Sequence, residues 1–174
     1  MAYADDWGGA DPHAHGRARR LFLMSSLVGM TPVIRRLIPD LGCRRMAFIP
    51  TASYAADYGV ANRLMHWWWR ALGVDVHVVD LTDARRWRIH DELRRAGVFY
   101  VCGGNTFYLM HCLQSSGAAG IIRERVAQGV PYLGESAGAV AAAPSIGYIA
   151  PMDERPAIAG ESTVPVPGLA LSAY

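Results

Sequence analysis

The stretch Val98-Phe-Tyr-Val-Cys-Gly-Gly-Asn-Thr-Phe-Tyr-Leu-Met110 decides the fold. Val98 to Cys102 is an unbroken apolar run, the pattern of a strand covered on both faces rather than one with a wet side. It leads straight into Gly103-Gly104-Asn105-Thr106, and a helix follows. A strand that ends in glycines and feeds a helix is half of a βαβ unit, and such units build parallel sheets.

Outward from that point the same alternation of short apolar runs and longer amphipathic ones recurs. Upstream, strands are read at Arg20–Ser25, Arg44–Pro50 and Val74–Leu81. A helix from about Thr31 to Leu41 has Thr31 as its cap, Pro32 at its first position and Gly42 as its stop. A second runs from about Asp57 to Leu72 and ends at Gly73, with Val60, Leu64, Trp67 and Ala71 on one stripe. A third starts from Thr82 or Asp83 and reaches Arg95, with Gly97 beyond it. Downstream, the helix after Asn105 is interrupted near Ser115-Ser116-Gly117 and resumes to Gln128, and Pro131–Gly134 is a short fifth strand. The fold class expected is α/β, a doubly wound and mostly parallel sheet with helices on both faces.

The chain has 174 residues, enough for one domain of ~100 to 200 residues and not for two. Apolar residues make up 52% and charged residues 18%, which allows a sizeable core and excludes wholesale disorder. A net charge of +2 supplies no field to recruit nucleic acid, and no nucleic-acid partner is expected. The longest nearly apolar stretch, Ala137 to Pro151, is broken by Gly138, Pro144, Ser145 and Gly147, so no membrane span is expected. Cys43, Cys102 and Cys112 lack CxxC spacing, so neither a disulfide framework nor a zinc knuckle is indicated, and the default compartment is the cytoplasm. Residues 1–19 carry no apolar core and read as a flexible leader rather than a secretory signal, with His13 and His15 inside it. The domain is expected to span residues 20–174. Its last 24 residues, from Pro151, read as loop plus the start of a strand.

Trp67-Trp68-Trp69 needs a separate account. Successive helical residues lie ~100° apart, so three consecutive rings cannot all face one core. Two rings in the core with one across the surface, and a subunit interface through this helix, are both open.

Gly134-Glu135-Ser136-Ala137-Gly138 matches the G-x-S-x-G pattern of a nucleophile elbow. Small flanking residues are required because the strand-to-helix turn is tight, and the serine oxygen then projects above the sheet. An ordinary strand-to-helix turn capped by Ser136 is the alternative. Gly103-Gly104 raises the odds of the elbow, because ligands of open α/β sheets bind at the carboxyl ends of the strands. There the Gly104 and Ala137 amides are placed to hold the oxyanion of a tetrahedral intermediate.

VCGGNTFYLM at Val101–Met110, YLGESAGAVAAAPSI at Tyr132–Ile146 and FIPTAS at Phe48–Ser53 together resemble peptidase E and its relatives, the serine peptidases that include aspartyl dipeptidase and cyanophycinase. The resemblance runs in order from about Arg20 to the C-terminus. It implies the class I glutamine-amidotransferase-like (flavodoxin-like) three-layer sandwich. It also implies that Ser136 is the nucleophile, that Gly104 and Ala137 supply oxyanion amides, and that Gly103, Asn105 and Thr106 line the pocket. Asp153, with Glu154 in PMDERP, resembles an acidic site of some relatives, with a solvated loop as the alternative, and Glu135, expected to point away from Ser136, stands as a further pocket-wall residue. No cofactor or metal is implied.

The departure from the family concerns the base. A serine needs an adjacent histidine to take its proton. In the family that histidine sits in a proline-histidine pair on the strand after a segment resembling Gly168–Leu171, and this chain, expected to lack its C-terminal strands, ends at Tyr174. His66 and His90 fall within helices, His77 on a strand, and His111 about two turns into the helix after Asn105, roughly 10 Å along its axis. Cys102 reads as a buried strand-end thiol rather than a nucleophile. The function expected is a serine hydrolase cleaving small peptides, with an aspartyl residue on the acyl side. The alternatives are an impaired relative that binds small acidic peptides, or a non-enzymatic module that self-associates through Trp67–Trp69.

Overall fold

The computed structural model describes residues 18–27, 29–55, 59–154 and 167–172. Five strands form one parallel sheet: β1 (Leu21–Met24), β2 (Arg45–Ile49), β3 (Asp75–Val78), β4 (Val98–Val101) and β5 (Tyr132–Glu135), in the order β1-β5-β4-β2-β3. Alternation along the central strands separates two cores. Met46, Phe48, Val98 and Tyr100 face helices α1 (Thr31–Leu37) and α2 (Gly59–Ala71), packing with Ile34, Ile38 and Trp69. Ala47, Ile49, Phe99 and Val101 face the other way, toward α3 (Arg86–Arg95), α4 (Thr106–Ser115), α5 (Ala118–Ala127) and α6 (Ala137–Val140). The result is the expected three-layer, doubly wound α/β arrangement.

The order of strands locates the crevice. From β2 the chain crosses to β3 on one side, and from β4 it proceeds to β5 on the other, so the winding reverses between β2 and β4. That reversal is where the carboxyl ends of the strands open to a ligand. Pro50–Ser53 after β2 and Cys102–Gly104 after β4 meet there, with the Asn105 amide donating to the Ala52 carbonyl at 2.8 Å.

Several local expectations need correction. Helix α1 stops at Leu37 rather than Leu41. Pro39 has no amide to donate and pushes the residue before it out of the helical region, and Ile38 has φ −127° and ψ 76°. Thr31 is not the cap: Met30 occupies that place without a side-chain bond, and Thr31 Oγ1 accepts from the Trp68 indole at 3.3 Å. Helix α3 begins at Arg86, because Asp83 Oδ1 satisfies the Arg85 amide (2.9 Å) and Asp80 Oδ1 the Thr82 amide (2.8 Å), closing local turns instead of a helix. The Val60, Leu64, Trp67 stripe of α2 faces solvent, and Trp69 is the only ring of the triplet in the core. The break between α4 and α5 falls as expected, at Gly117 with φ +78°. Residues 1–17 of the leader and most of the C-terminal segment lie outside the described residues. Arg19 at the end of that leader donates to the Leu171 carbonyl at 3.0 Å, and Leu169 and Leu171 are buried beside Ala141–Ala143.

Candidate active site

Ser136 stands at the junction of β5 and α6 with φ 48° and ψ −111°. A β-carbon makes this a costly backbone for any residue but glycine, so the surroundings must hold it in place. They do so through glycine. A β-carbon on Gly134 would lie 2.6 Å from the Gly138 carbonyl oxygen, and one on Gly138 would lie 2.2 Å from that of Val101. The Tyr132 hydroxyl donates to the Gly138 carbonyl at 2.6 Å, and the Ser136 amide donates to Met24 at 2.8 Å. The elbow is therefore packed from below by β1, β4 and β5, while the Ser136 side chain is exposed at the carboxyl edge of the sheet.

Gly103 borders it directly. A β-carbon there would lie 3.1 Å from Ser136 Cβ and 3.7 Å from Oγ, so any side chain would crowd the hydroxyl. Gly104 has φ +142°, and its β-carbon would fall 2.2 Å from the Ala52 carbonyl oxygen. Only glycine fits this conformation so close to another backbone. Among the described residues, neither the Gly104 nor the Ala137 amide donates to a backbone carbonyl. The sequence pairs of double glycine and elbow thus come together as two adjoining strand-to-helix turns.

The remaining expected residues are placed differently. Asn105 caps α4, its Oδ1 accepting from the Tyr108 amide at 2.8 Å, and its Nδ2 donates to the Glu154 carbonyl at 2.6 Å. The Thr106 side chain is buried and offers no surface to a ligand; its amide donates to Asp153 Oδ2 at 2.8 Å. Asp153 consequently sits on the positive end of α4, where a carboxylate is favoured. Glu135 turns to the opposite side of the sheet from the oxyanion turn. Its Oε1 accepts from the Leu27 amide (2.8 Å) and its Oε2 from the Tyr100 hydroxyl (2.5 Å). Local sequence carried no sign of that Tyr100–Glu135–Leu27 network, whose members come from three separate segments.

Three of the four described histidines have partners away from Ser136. His66 packs edge-on against Phe48, His77 pairs with Asp75 at the far end of β3, and His90 Nε2 meets the Ser116 carbonyl at 2.8 Å. His111 lines a cleft with Thr82, Arg86 and Cys112. Cys102 is fully buried, and burial pushes its thiol well above the ordinary range, with the Glu135 carboxylate adding to the shift. It is a structural residue. Among the described residues no group of three or more histidine, cysteine, aspartate or glutamate side chains is arranged to hold a metal, and no helix is long and apolar enough to cross a membrane.

A strained, exposed serine on a strand-to-helix turn, next to a glycine turn at the reversal point of a parallel sheet, defines an α/β protein of the nucleophile-elbow class. The comparisons with known proteins narrow this. The chain belongs to Peptidase family S51, whose family model matches residues 21–166. It is 36% identical over 135 residues to an uncharacterized peptidase of Listeria monocytogenes, covering 78% of this chain and 66% of that protein. It is 34% identical over 134 residues to peptidase E of Shewanella amazonensis, covering 74% and 55%. A crystal structure of a protein from Listeria monocytogenes described as a peptidase E superposes with a TM-score of 0.82 at 33% identity, covering 89% of this chain and 76% of that one. The matched region thus spans somewhat less than two thirds of the curated relatives' own length.

Proposed function

We propose that the chain is the nucleophile-bearing region of a serine hydrolase of the peptidase E type, which cleaves small peptides with an aspartyl residue on the acyl side. The observation that carries this reading is the backbone of Ser136. A non-glycine residue held at φ 48° with its side chain exposed is explained by a need to present that oxygen. In the reaction Ser136 Oγ attacks the substrate carbonyl and loses its proton to a base, and the Gly104 and Ala137 amides hold the oxyanion. The intermediate collapses with departure of the amine, which takes up a proton, and water then releases the acid from the acyl-enzyme.

The base comes from outside the described residues in this reading, since His66, His77 and His90 face other partners and His111 lines a cleft whose walls do not include Ser136. The same observation favours a second reading, a relative that retains the pocket and binds a small acidic peptide without turning it over. A fluorophosphonate probe separates the two. Labelling that disappears in Ser136→Ala supports the hydrolase. Labelling that appears only when imidazole is supplied, and again only with Ser136 present, assigns the chain a competent nucleophile without its base. An inert Ser136 together with saturable binding of an aspartyl dipeptide favours the second reading.

A further inference from the structure

Strand β5 carries two polar side chains that the proposed reaction does not touch, and both end beside Ser136. Tyr132 and Glu135 lie on opposite faces of the sheet, because side chains alternate along a strand. Tyr132 belongs to the core under α4, α5 and α6, while Glu135 reaches Tyr100 in the core under α1 and α2. Their hydrogen bonds converge on the two peptides that flank Ser136.

A residue at φ 48° and ψ −111° falls back to a favoured region when either flanking peptide is free to turn. Neither is free. The peptide before Ser136 is held by its N–H, which donates to the Met24 carbonyl at 2.8 Å. Glu135 fixes the same peptide from one face of the sheet, through the Leu27 amide and the Tyr100 hydroxyl. The peptide after Ser136 is held by its carbonyl, which accepts from the Ala139 and Val140 amides at 2.8 and 3.0 Å and so starts α6. That helix has only four residues, too few to be stable alone. The Tyr132 hydroxyl fixes it from the other face, through the Gly138 carbonyl at 2.6 Å.

Phenylalanine would fill the fully buried place of Tyr132, and an apolar residue would pack beside Tyr100, both with less loss of hydration than a hydroxyl and a carboxylate. The polar groups are explained by what they hold. We propose that Tyr132 and Glu135 are positioning residues, a two-sided clamp from one strand that keeps Ser136 in the conformation presenting its Oγ. Both act through the backbone and neither bonds the serine hydroxyl.

Two measurements test the clamp, and only the second rests on the reading of Ser136 as a nucleophile. In the first, melting temperatures of Ser136→Gly and Ser136→Ala are compared in the unaltered chain and in Tyr132→Phe and Glu135→Ala backgrounds. Loss of either side of the clamp lets the backbone relax, so the difference between the two moves in favour of alanine by roughly 2–4 °C. Glu135→Gln, which can still make both bonds, leaves the difference as it is in the unaltered chain. Should Glu135→Ala fail to fold, Tyr132→Phe carries the comparison, since it keeps the ring. An unchanged difference in either background overturns the proposal.

The second measurement is fluorophosphonate labelling, with imidazole added where the unaltered chain requires it. Tyr132→Phe and Glu135→Ala are expected to lower the limiting rate about tenfold at an unchanged half-saturating probe concentration, with Glu135→Gln restoring it. Wild-type rates in both variants, or a loss seen only as weaker probe binding, overturn the proposal. A chain that takes no label fails the hydrolase reading alone, and the melting comparison then decides the clamp.

Discussion

The Tyr100 hydroxyl donates to Glu135, the residue before Ser136, and the second oxygen of the same carboxylate accepts from the Leu27 amide. Strands β4 and β5 and the turn after β1 are thereby tied together beneath the elbow. Tyr100 is fully buried and stacked on Phe48 at 5.4 Å and 12°, so Tyr100→Phe keeps the ring contacts and removes one donor. A buried acceptor stripped of its partner costs about 1–3 kcal/mol, and a loss of that size is expected in urea unfolding. Glu135→Gln costs less than Glu135→Ala, because an amide still accepts from Leu27 and donates to Tyr100. In a double-mutant cycle Tyr100→Phe and Glu135→Ala are non-additive. Additivity would show that the two residues do not share a network.

Ser136 gives a second prediction, which concerns stability and needs no activity. Glycine in place of another residue ordinarily destabilises by roughly 0.5–1 kcal/mol. At φ 48° and ψ −111° the order reverses, since the β-carbon is the source of the strain. Ser136→Gly is expected to match or exceed Ser136→Ala in stability, by up to about 1 kcal/mol. A melting temperature for Ser136→Gly well below that of Ser136→Ala would show that the elbow is not strained.

Gly104 and Gly29 form a matched comparison. Both have positive φ, +142° and +78°, but a β-carbon on Gly29 meets nothing within 4 Å, whereas one on Gly104 overlaps the Ala52 carbonyl oxygen at 2.2 Å. Moving that carbonyl also breaks its bond from the Asn105 amide, which opens α4. Gly29→Ala is expected to cost about 1 kcal/mol, the backbone penalty alone. Gly104→Ala is expected to cost several times as much or to prevent folding, read as soluble yield and denaturant midpoint. Equal effects of the two would remove the tight β2–β4 crossing as the reason for the glycine.

These glycines also explain which parts of the molecule can be read from sequence. The residues of the elbow and of the double-glycine turn are dictated by backbone contacts within or between adjacent strands, so the pattern around Ser136 carries its own geometry. The same holds for the central strands, where an apolar run such as Val98–Val101 has only one environment that suits it. Helix α2 was ambiguous because both faces are apolar. Its stripe was visible, but which face meets the sheet depends on Trp69 fitting against Tyr100, 31 positions along the chain. The partners of Glu135 are hidden from local sequence for a similar reason, Leu27 lying 108 residues away. Pro39 was a local signal that outweighed the Gly42 stop, and the Asp80 and Asp83 side chains closed turns where a helix cap was expected.

Alkaline pH should unfold the protein sooner than its charge would suggest. Burial, with Asp80 beside it, raises the Tyr54 hydroxyl from 10.0 to about 12, and burial raises the Tyr100 and Tyr132 hydroxyls further. A folded-state value above the unfolded one means that the folded chain holds its protons longer. Stability from these groups is therefore fully present below pH ~10, where unfolded tyrosines are still neutral, and is lost as pH rises from there through the folded values. The melting temperature is expected to be flat between pH 7 and 9 and to fall steeply above about 10. Tyr100→Phe removes one of the contributing hydroxyls and should make the fall shallower. Unchanged steepness in that variant would assign the alkaline transition to other groups.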